Sequence, residues 1–300
     1  MSNDDVSKLS IFRINLKTSC QGTFGDLFNF CKTNKIIGIG WQLSKMPKNL
    51  SDCKSQGRKK YPGRAFSSAI NRIGEMKEND LVWTRHDGVY YICKVKNTWR
   101  YDNSTDNVYH DIVNIVDVDD FVEVGTVDKV PGKVVNSFKP SATVQRIWSD
   151  YIKNLSMHIY NTKLGVNYYP KISLSPTNTL DALQAEDVEE IVCLYLQLNK
   201  NYLLYGSTNK ISTEKYECVL VEKNNFSKCY PQVKTGNVAL NGNDYVHLTE
   251  NGNKVYLFAV SQNYIKVANN NDIIYLDKND ILKFMTQNKK LLPERIQYWM

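Results

Sequence analysis

The sequence predicts a mixed fold in two parts, α+β or α/β overall: an N-terminal β-barrel carrying helices, then a mixed sheet flanked by helices. Three observations lead there. From residue 11 to residue 135 short apolar runs alternate with turn residues; the strongest case is His86-Asp87-Gly88, set between Leu81-Val82-Trp83-Thr84-Arg85 and Val89-Tyr90-Tyr91-Ile92-Cys93-Lys94-Val95. After residue 180 the order changes to one helix, several strands and a closing helix. The 300 residues are enough for two domains that each bury a core, placed at residues 1–160 and 161–300.

In chain order, Ile11–Asn15 alternates as a first strand, and Phe24, Leu27, Phe28 and Cys31 follow helical spacing. Lys35–Trp41 reads as a buried strand ending in Gly-x-Gly-Trp, where glycine permits positive φ or a close backbone approach. Asn49–Gly63 reads as a basic irregular loop, and Ala65–Met76 as a short helix. After the Asp87-Gly88 hairpin, strands are expected at Asp111–Val118, Phe121–Val127 and Gly132–Val135, then a helix over Thr143–Leu155 and a loop over Gly165–Pro176. In the second half a helix spans Leu180–Leu198. Strands follow near Tyr202–Tyr205, Tyr216–Val221, Tyr230–Thr235, Lys254–Val260 (after a hairpin-like Asn251-Gly252) and Asp272–Leu276, and a helix at Lys278–Met285 closes the chain.

Composition narrows the function classes. Hydrophobic content of 42% and charge of 23% are those of a folded chain. No apolar run has the length of a membrane span, and the opening MSNDDVSKLS has no apolar core of a secretory signal. The seven cysteines include no Cys-x-x-Cys and the four histidines are scattered, which argues against a zinc site or a disulfide framework and for a reducing cytoplasm. The net charge of +7 is concentrated in residues 1–160; Lys32–Arg64 alone holds nine basic residues and one acid, Asp52. Such a field favours a polyanion, although basic runs also occur as plain solvated loops.

The stretch Ile211–Gly236 carries the most chemistry. It places Glu217 at the start of one strand and Gln232-Val233-Lys234 on the next. Phosphodiester hydrolysis at neutral pH calls for a divalent cation, and Mg²⁺ accepts one or two carboxylates with a carbonyl and water. Glu217 supplies a carboxylate, Gln232 an amide oxygen and Val233 a carbonyl, while Lys234 shares the strand face of Gln232 and suits developing charge. On the preceding helix, spacing tilts Glu189 inward and Glu190 outward. By spacing alone the same residues are better described as an exposed hairpin with solvated charges.

The ordered segments VEEIV, YE, PQVKTG and KVYLFAV resemble the Mrr-type restriction endonucleases of the PD-(D/E)XK nuclease superfamily, over about residues 175–300. That resemblance implies Glu217 as the first metal-binding acid, Gln232 at the second motif position, Lys234 as the catalytic lysine and Glu189 as the helical acid. Glu217 stands where an Asp is more usual in that superfamily.

The first half, through Ile37-Gly38-Ile39-Gly40-Trp41, Asp80–Arg85 and Gly88–Tyr91, resembles the PUA-like group that includes EVE and YTH domains. Several of these bind nucleic acid with a modified base in an aromatic pocket. A base taken out of the stack needs aromatic faces. Trp41, Trp83, Trp99 and Tyr101 are the candidate walls, though a Trp in an apolar strand also reads as core. Arg58, Lys59, Lys60, Arg64 and Arg85 are the candidate phosphate contacts. The combined expectation is a Mg²⁺-dependent DNA endonuclease that restricts foreign or modified DNA and pairs as a homodimer to cut both strands. The rival expectations are a binding module without catalysis and an RNA-directed PUA-like protein.

Overall fold

The computed structural model describes residues 6–16, 24–171, 178–208 and 215–300. Cys20, residues 211–214 at the start of the Ile211–Gly236 stretch, and residues 172–176 of the expected Gly165–Pro176 loop lie outside them. The chain divides into two compact units, Met1–Ser173 and Leu174–Met300. Both mix helices and sheets.

In the first unit, β1 (Ile11–Ile14) is buried along its whole length and is followed by α1 (Phe24–Asn34) and β2 (Ile36–Ile39). Next come α2 (Leu50–Lys60), α3 (Arg64–Gly74), β3 (Leu81–His86) and β4 (Val89–Lys94). The β3–β4 hairpin turns at Asp87 and Gly88 with φ of 47° and 76°, as the Asp-Gly step favours. The remainder comprises β5 (Arg100–Tyr101), α4 (Thr105–Tyr109), β6 (Asn114–Asp117), β7 (Val122–Gly125), α5 (Gly132–Ser137), β8 (Val144–Ile147) and α6 (Asp150–Leu164). One sheet has the order β7-β4-β3-β1-β8 and a second has β2-β6-β5. The expected barrel is therefore two open sheets around a shared core of Phe12, Ile37, Phe66, Ile70, Val82 and Ile115, and no ring of strands closes among the described residues.

Arg13 sits in the middle of β1, fully buried. Its guanidinium donates to the carbonyls of Ser137 (2.7 Å), Ala142 and Thr143 (3.3 Å) and to Gln145 Oε1 (3.0 Å), so carbonyl dipoles replace a carboxylate partner. Burial, with Arg85 nearby, lowers its pKa to about 10. These bonds draw residues 137–145 onto the sheet and explain two departures from the sequence reading. Val144–Ile147 is a strand antiparallel to β1 rather than a helix, and α6 begins only where the Ser149 hydroxyl caps Ile152 N (3.3 Å). Gly132–Val135, expected as a strand, lies in a helix entered through Pro131, whose carbonyl accepts from Val134 N (2.8 Å). Helix α6 also runs across residue 160, where the sequence reading divides the chain.

The expected loop Asn49–Gly63 is largely helix α2. Asn49 caps it by accepting from Asp52 N (2.9 Å), and only Cys53 and Gly57 are buried, so the segment shows no apolar stripe. Gly57 lies against the Phe66 ring so closely that a Cβ there would fall 1.9 Å from a ring carbon.

The second unit begins with α7 (Thr179–Ala182) and α8 (Ala185–Asn199), the latter opened by a capping box between Gln184 and Asp187. Strands β9 (Tyr202–Leu204), β10 (Leu220–Glu222) and β11 (Lys228–Lys234) follow, then β12 (Leu240–Asn241) and a 3₁₀ segment, Gly242–Gly252. The chain ends with β13 (Lys254–Ala259), β14 (Tyr264–Ile265), β15 (Ile273–Tyr275), α9 (Lys278–Gln287) and α10 (Glu294–Gln297). The sheet order is β15-β13-β11-β10-β9, with β11 parallel to β13. Asn251-Gly252 thus closes the 3₁₀ segment of a crossover instead of a hairpin. Helix α8 packs Val188, Ile191, Val192 and Leu196 into the core with Leu220, Val233 and Phe258. No described helix is long and apolar enough to cross a membrane.

A glycine inside a helix ordinarily gains stability on replacement by alanine, by roughly 1 kcal/mol. Gly57→Ala is expected to do the opposite, losing about 1–3 kcal/mol through overpacking against Phe66. Denaturant unfolding of the full chain measures the sign; a stabilised variant would contradict this packing.

Candidate functional site

Glu217 lies three residues before β10 and is fastened by its own backbone, with Glu217 N donating to Pro231 O (2.9 Å) on β11. Its carboxylate is thereby set against the next residues of that strand. Glu217 Oε1 accepts from Val233 N (3.3 Å) and from Gln232 Nε2, and the same amide donates to Val233 O (3.2 Å). Gln232 is buried, whereas Lys234, two residues on, is only partly covered. The structure thus brings Glu217, Gln232 and Val233 into direct contact.

Glu189 on α8 is half-buried and Glu190 exposed, as helical spacing predicts. The Glu189 carboxyl is raised to about 7, first by burial, then by the negative charges of Glu217 and Glu186, with Lys234 acting the other way. Glu189 and Glu217 line one cavity of about 420 Å³ with Cys193, Cys218 and Arg295. Arg295, from α10, holds an ion pair with Asp187 (Nε–Oδ1 2.5 Å) without hydrogen-bond alignment, and stands 3.6 Å from Glu190.

The donor set fits a hard cation. Glu217 and Val233 supply a carboxylate and a carbonyl oxygen, and a half-turn of the Gln232 amide exchanges its nitrogen for a third oxygen. Among the described residues no three His, Cys, Asp or Glu side chains could hold a metal ion together. A cation here would therefore rest on a mixed oxygen set completed by water, which suits Mg²⁺.

In the first unit the expected aromatic walls separate. Trp83 is fully buried and donates from Nε1 to Ser156 Oγ (3.0 Å) on α6, so it is core and offers no face to a ligand; β3 is covered on both faces there. Tyr101 is buried too, its hydroxyl accepting from Leu43 N (2.7 Å). Trp41 is half-buried, edge-on to Phe66, and holds φ of 66°, an uncommon backbone for a bulky residue. Trp99 is half-buried and borders a cavity of about 410 Å³ with Met46, Lys48, Leu50 and Arg100.

Asn114 connects these two rings, and no sequence pattern singles it out. Fully buried, it donates from Nδ2 to Gly40 O (2.6 Å), while its Oδ1 accepts from Trp99 Nε1 (3.3 Å) and Cys53 Sγ (3.3 Å). Gly40 has no room for a side chain, since a Cβ would meet the Asp111 carboxylate. Arg58, Lys59 and Lys60 are exposed on the last turn of α2, and Arg64 is exposed on the first turn of α3. Lys60 Nζ donates to Gln42 O (2.8 Å), which ties the basic turn to the residue after Trp41. Arg85 is exposed beside the β3–β4 turn, its guanidinium 5.2 Å from the Phe138 ring centre. A further exposed ring, Trp148 (63% exposed), carries the Arg146 guanidinium 3.8 Å above it; assigning that segment to a helix hides it from sequence reasoning.

No protein-family model and no curated protein matches the chain.

The raised Glu189 pKa has a stability consequence with a definite sign. Below the ordinary carboxylate range both folded and unfolded chains hold the proton. Between that range and about 7 only the unfolded chain ionises, so stability falls as pH rises, and above about 7 the deficit is complete. In chelator, Glu189→Gln is expected to raise Tm above wild type at about pH 8.5 and to match it near about pH 4. Thermal melts across that range test it, and a pH-independent difference would contradict it.

Proposed function

We propose that this chain is a Mg²⁺-dependent DNA endonuclease, with a nuclease-like second unit and a PUA-like first unit that recognises DNA carrying a modified base. The convergence of Glu217, Gln232 and the Val233 carbonyl, with Lys234 two residues along, carries the proposal. Glu217, Gln232 and Val233 hold the cation, and Glu189 adds charge once it loses its proton near pH 7. When bound, Mg²⁺ supplies Lewis-acid polarisation of the phosphate and a lowered pKa for water. Lys234 places its ammonium against the phosphate oxygens as negative charge builds there. The exposed turn Arg58–Lys60 and Arg64 contact the DNA backbone, and Trp41 and Trp99 offer faces to a base. Cutting both strands is assigned to a homodimer, and the setting is the cytoplasm, as part of restriction against phage or other foreign DNA.

One observation favours a second reading, a DNA-binding protein without catalysis: Glu217 brings one carboxylate to Gln232 and Val233, and Glu189 adds no charge while its carboxyl, raised to about 7, holds its proton.

To separate the two, supercoiled plasmid, with and without modified bases, is incubated with protein in Mg²⁺ or in chelator. Cleavage is expected in Mg²⁺ only, reduced roughly 10²–10³-fold in Lys234→Ala with DNA binding retained. Wild type that binds every DNA and cuts none would establish the second reading instead. Separately, replacing Arg58, Lys59 and Lys60 by alanine is expected to flatten the salt dependence of DNA binding, by about 0.9 in the log–log slope for each phosphate that the variant no longer neutralises. An unchanged slope would remove these residues from the interface.

A further inference from the structure

The cavity that holds Glu189 and Glu217 also holds two thiols that the reaction does not use. Cys193 lies one helical turn beyond Glu189 on α8, and Cys218 directly follows Glu217. Their sulfurs are 3.4 Å apart, both side chains are buried in the second unit, and both border the cavity. Each of the two acids thus has a cysteine as its structural neighbour, and the two cysteines touch.

We propose that Cys193 and Cys218 form a reversible disulfide that switches off cation binding. With hydrogen peroxide as oxidant, one sulfur attacks a peroxide oxygen, the O–O bond breaks and water leaves. The second thiol then attacks that sulfur, forming the S–S bond and releasing a second water, so the two thiols give up two hydrogens and two electrons in all. A dithiol reductant reverses the step by exchange. The cavity gives a small oxidant its route to the sulfurs.

Geometry links the bond to the site. A disulfide sulfur pair lies about 2.05 Å apart, so the contact must close by about 1.4 Å. One end of that closure is Cys218, the residue next to Glu217, whose carboxylate position depends on its bonds to the Gln232 amide and Val233 N. The closed form therefore binds a divalent cation more weakly. The inference rests on the cation site proposed above.

The full chain is treated with hydrogen peroxide, blocked, digested without reductant and mapped by mass spectrometry; Mn²⁺ affinity of the reduced and oxidised forms is then measured by calorimetry. A peptide pair joining Cys193 to Cys218, two hydrogens lighter, is expected, with a Mn²⁺ Kd at least about tenfold weaker and restored by dithiothreitol. Cys193→Ala is expected to bind Mn²⁺ as reduced wild type does and to ignore peroxide. Absence of the joined peptides overturns the switch, and so does a joined form with unchanged affinity. Weak Mn²⁺ binding by the reduced protein overturns it together with the cation site. Reduced protein that binds Mn²⁺ and cuts no DNA defeats only the nuclease reading.

Discussion

Everything in the candidate site hangs on the fixing of Glu217 to β11. The residue is outside regular strand, so nothing in a ladder holds it, yet its N–H reaches Pro231 O and its carboxylate reaches the next two residues of the same strand. A partly covered carboxylate is costly without partners, and here both a backbone N–H and an amide provide them. Loosening the first bond would free the second and third. The parallel pairing of β11 with β13 anchors the strand that receives Glu217, and α8 brings Glu189 to the other side of the cavity.

A comparable constraint organises the first unit. Arg13 fills the sheet interior with a charge that has carbonyls for company and, among the described residues, no carboxylate paired with it, and the segment supplying those carbonyls is pulled into place as β8. Asn114 plays a similar part between β2 and β6, holding the Gly40–Trp41 turn and the Trp99 ring with one amide. Both are buried polar groups that hydrogen-bond to several elements at once. Such groups specify a single arrangement more sharply than apolar packing does.

The elements legible in the sequence are those whose cause is local. The Asp87-Gly88 turn, the strand Ile36–Ile39 and the inward tilt of Glu189 each follow from neighbouring residues. The elements that escape a sequence reading are those that distant residues decide. Val144–Ile147 is a strand because β1 and Arg13 lie beside it, and α2, which has a local cap but no apolar stripe, packs through Gly57 under the ring of Phe66 on the next helix. The sheet face of Trp83 has no local signature, since β3 is buried on both. At the site, the pairing of Glu217 with Gln232-x-Lys234 is visible as spacing, but the contact of Cys193 with Cys218 and the bonds of Asn114 join residues far apart in sequence.

The central claim is that Glu217, Gln232 and the Val233 carbonyl form one cation site coupled to Glu189. Calorimetric titration of Mn²⁺ into the reduced full chain at about pH 6.5, in two buffers of different ionisation enthalpy, tests it most directly, because a carboxyl with a pKa of about 7 must release its proton when a cation binds beside it. Wild type is predicted to bind saturably with net proton release, Glu189→Gln to bind without that release, and Glu217→Ala to show no saturable binding. Equal heats from wild type and Glu217→Ala would contradict the claim.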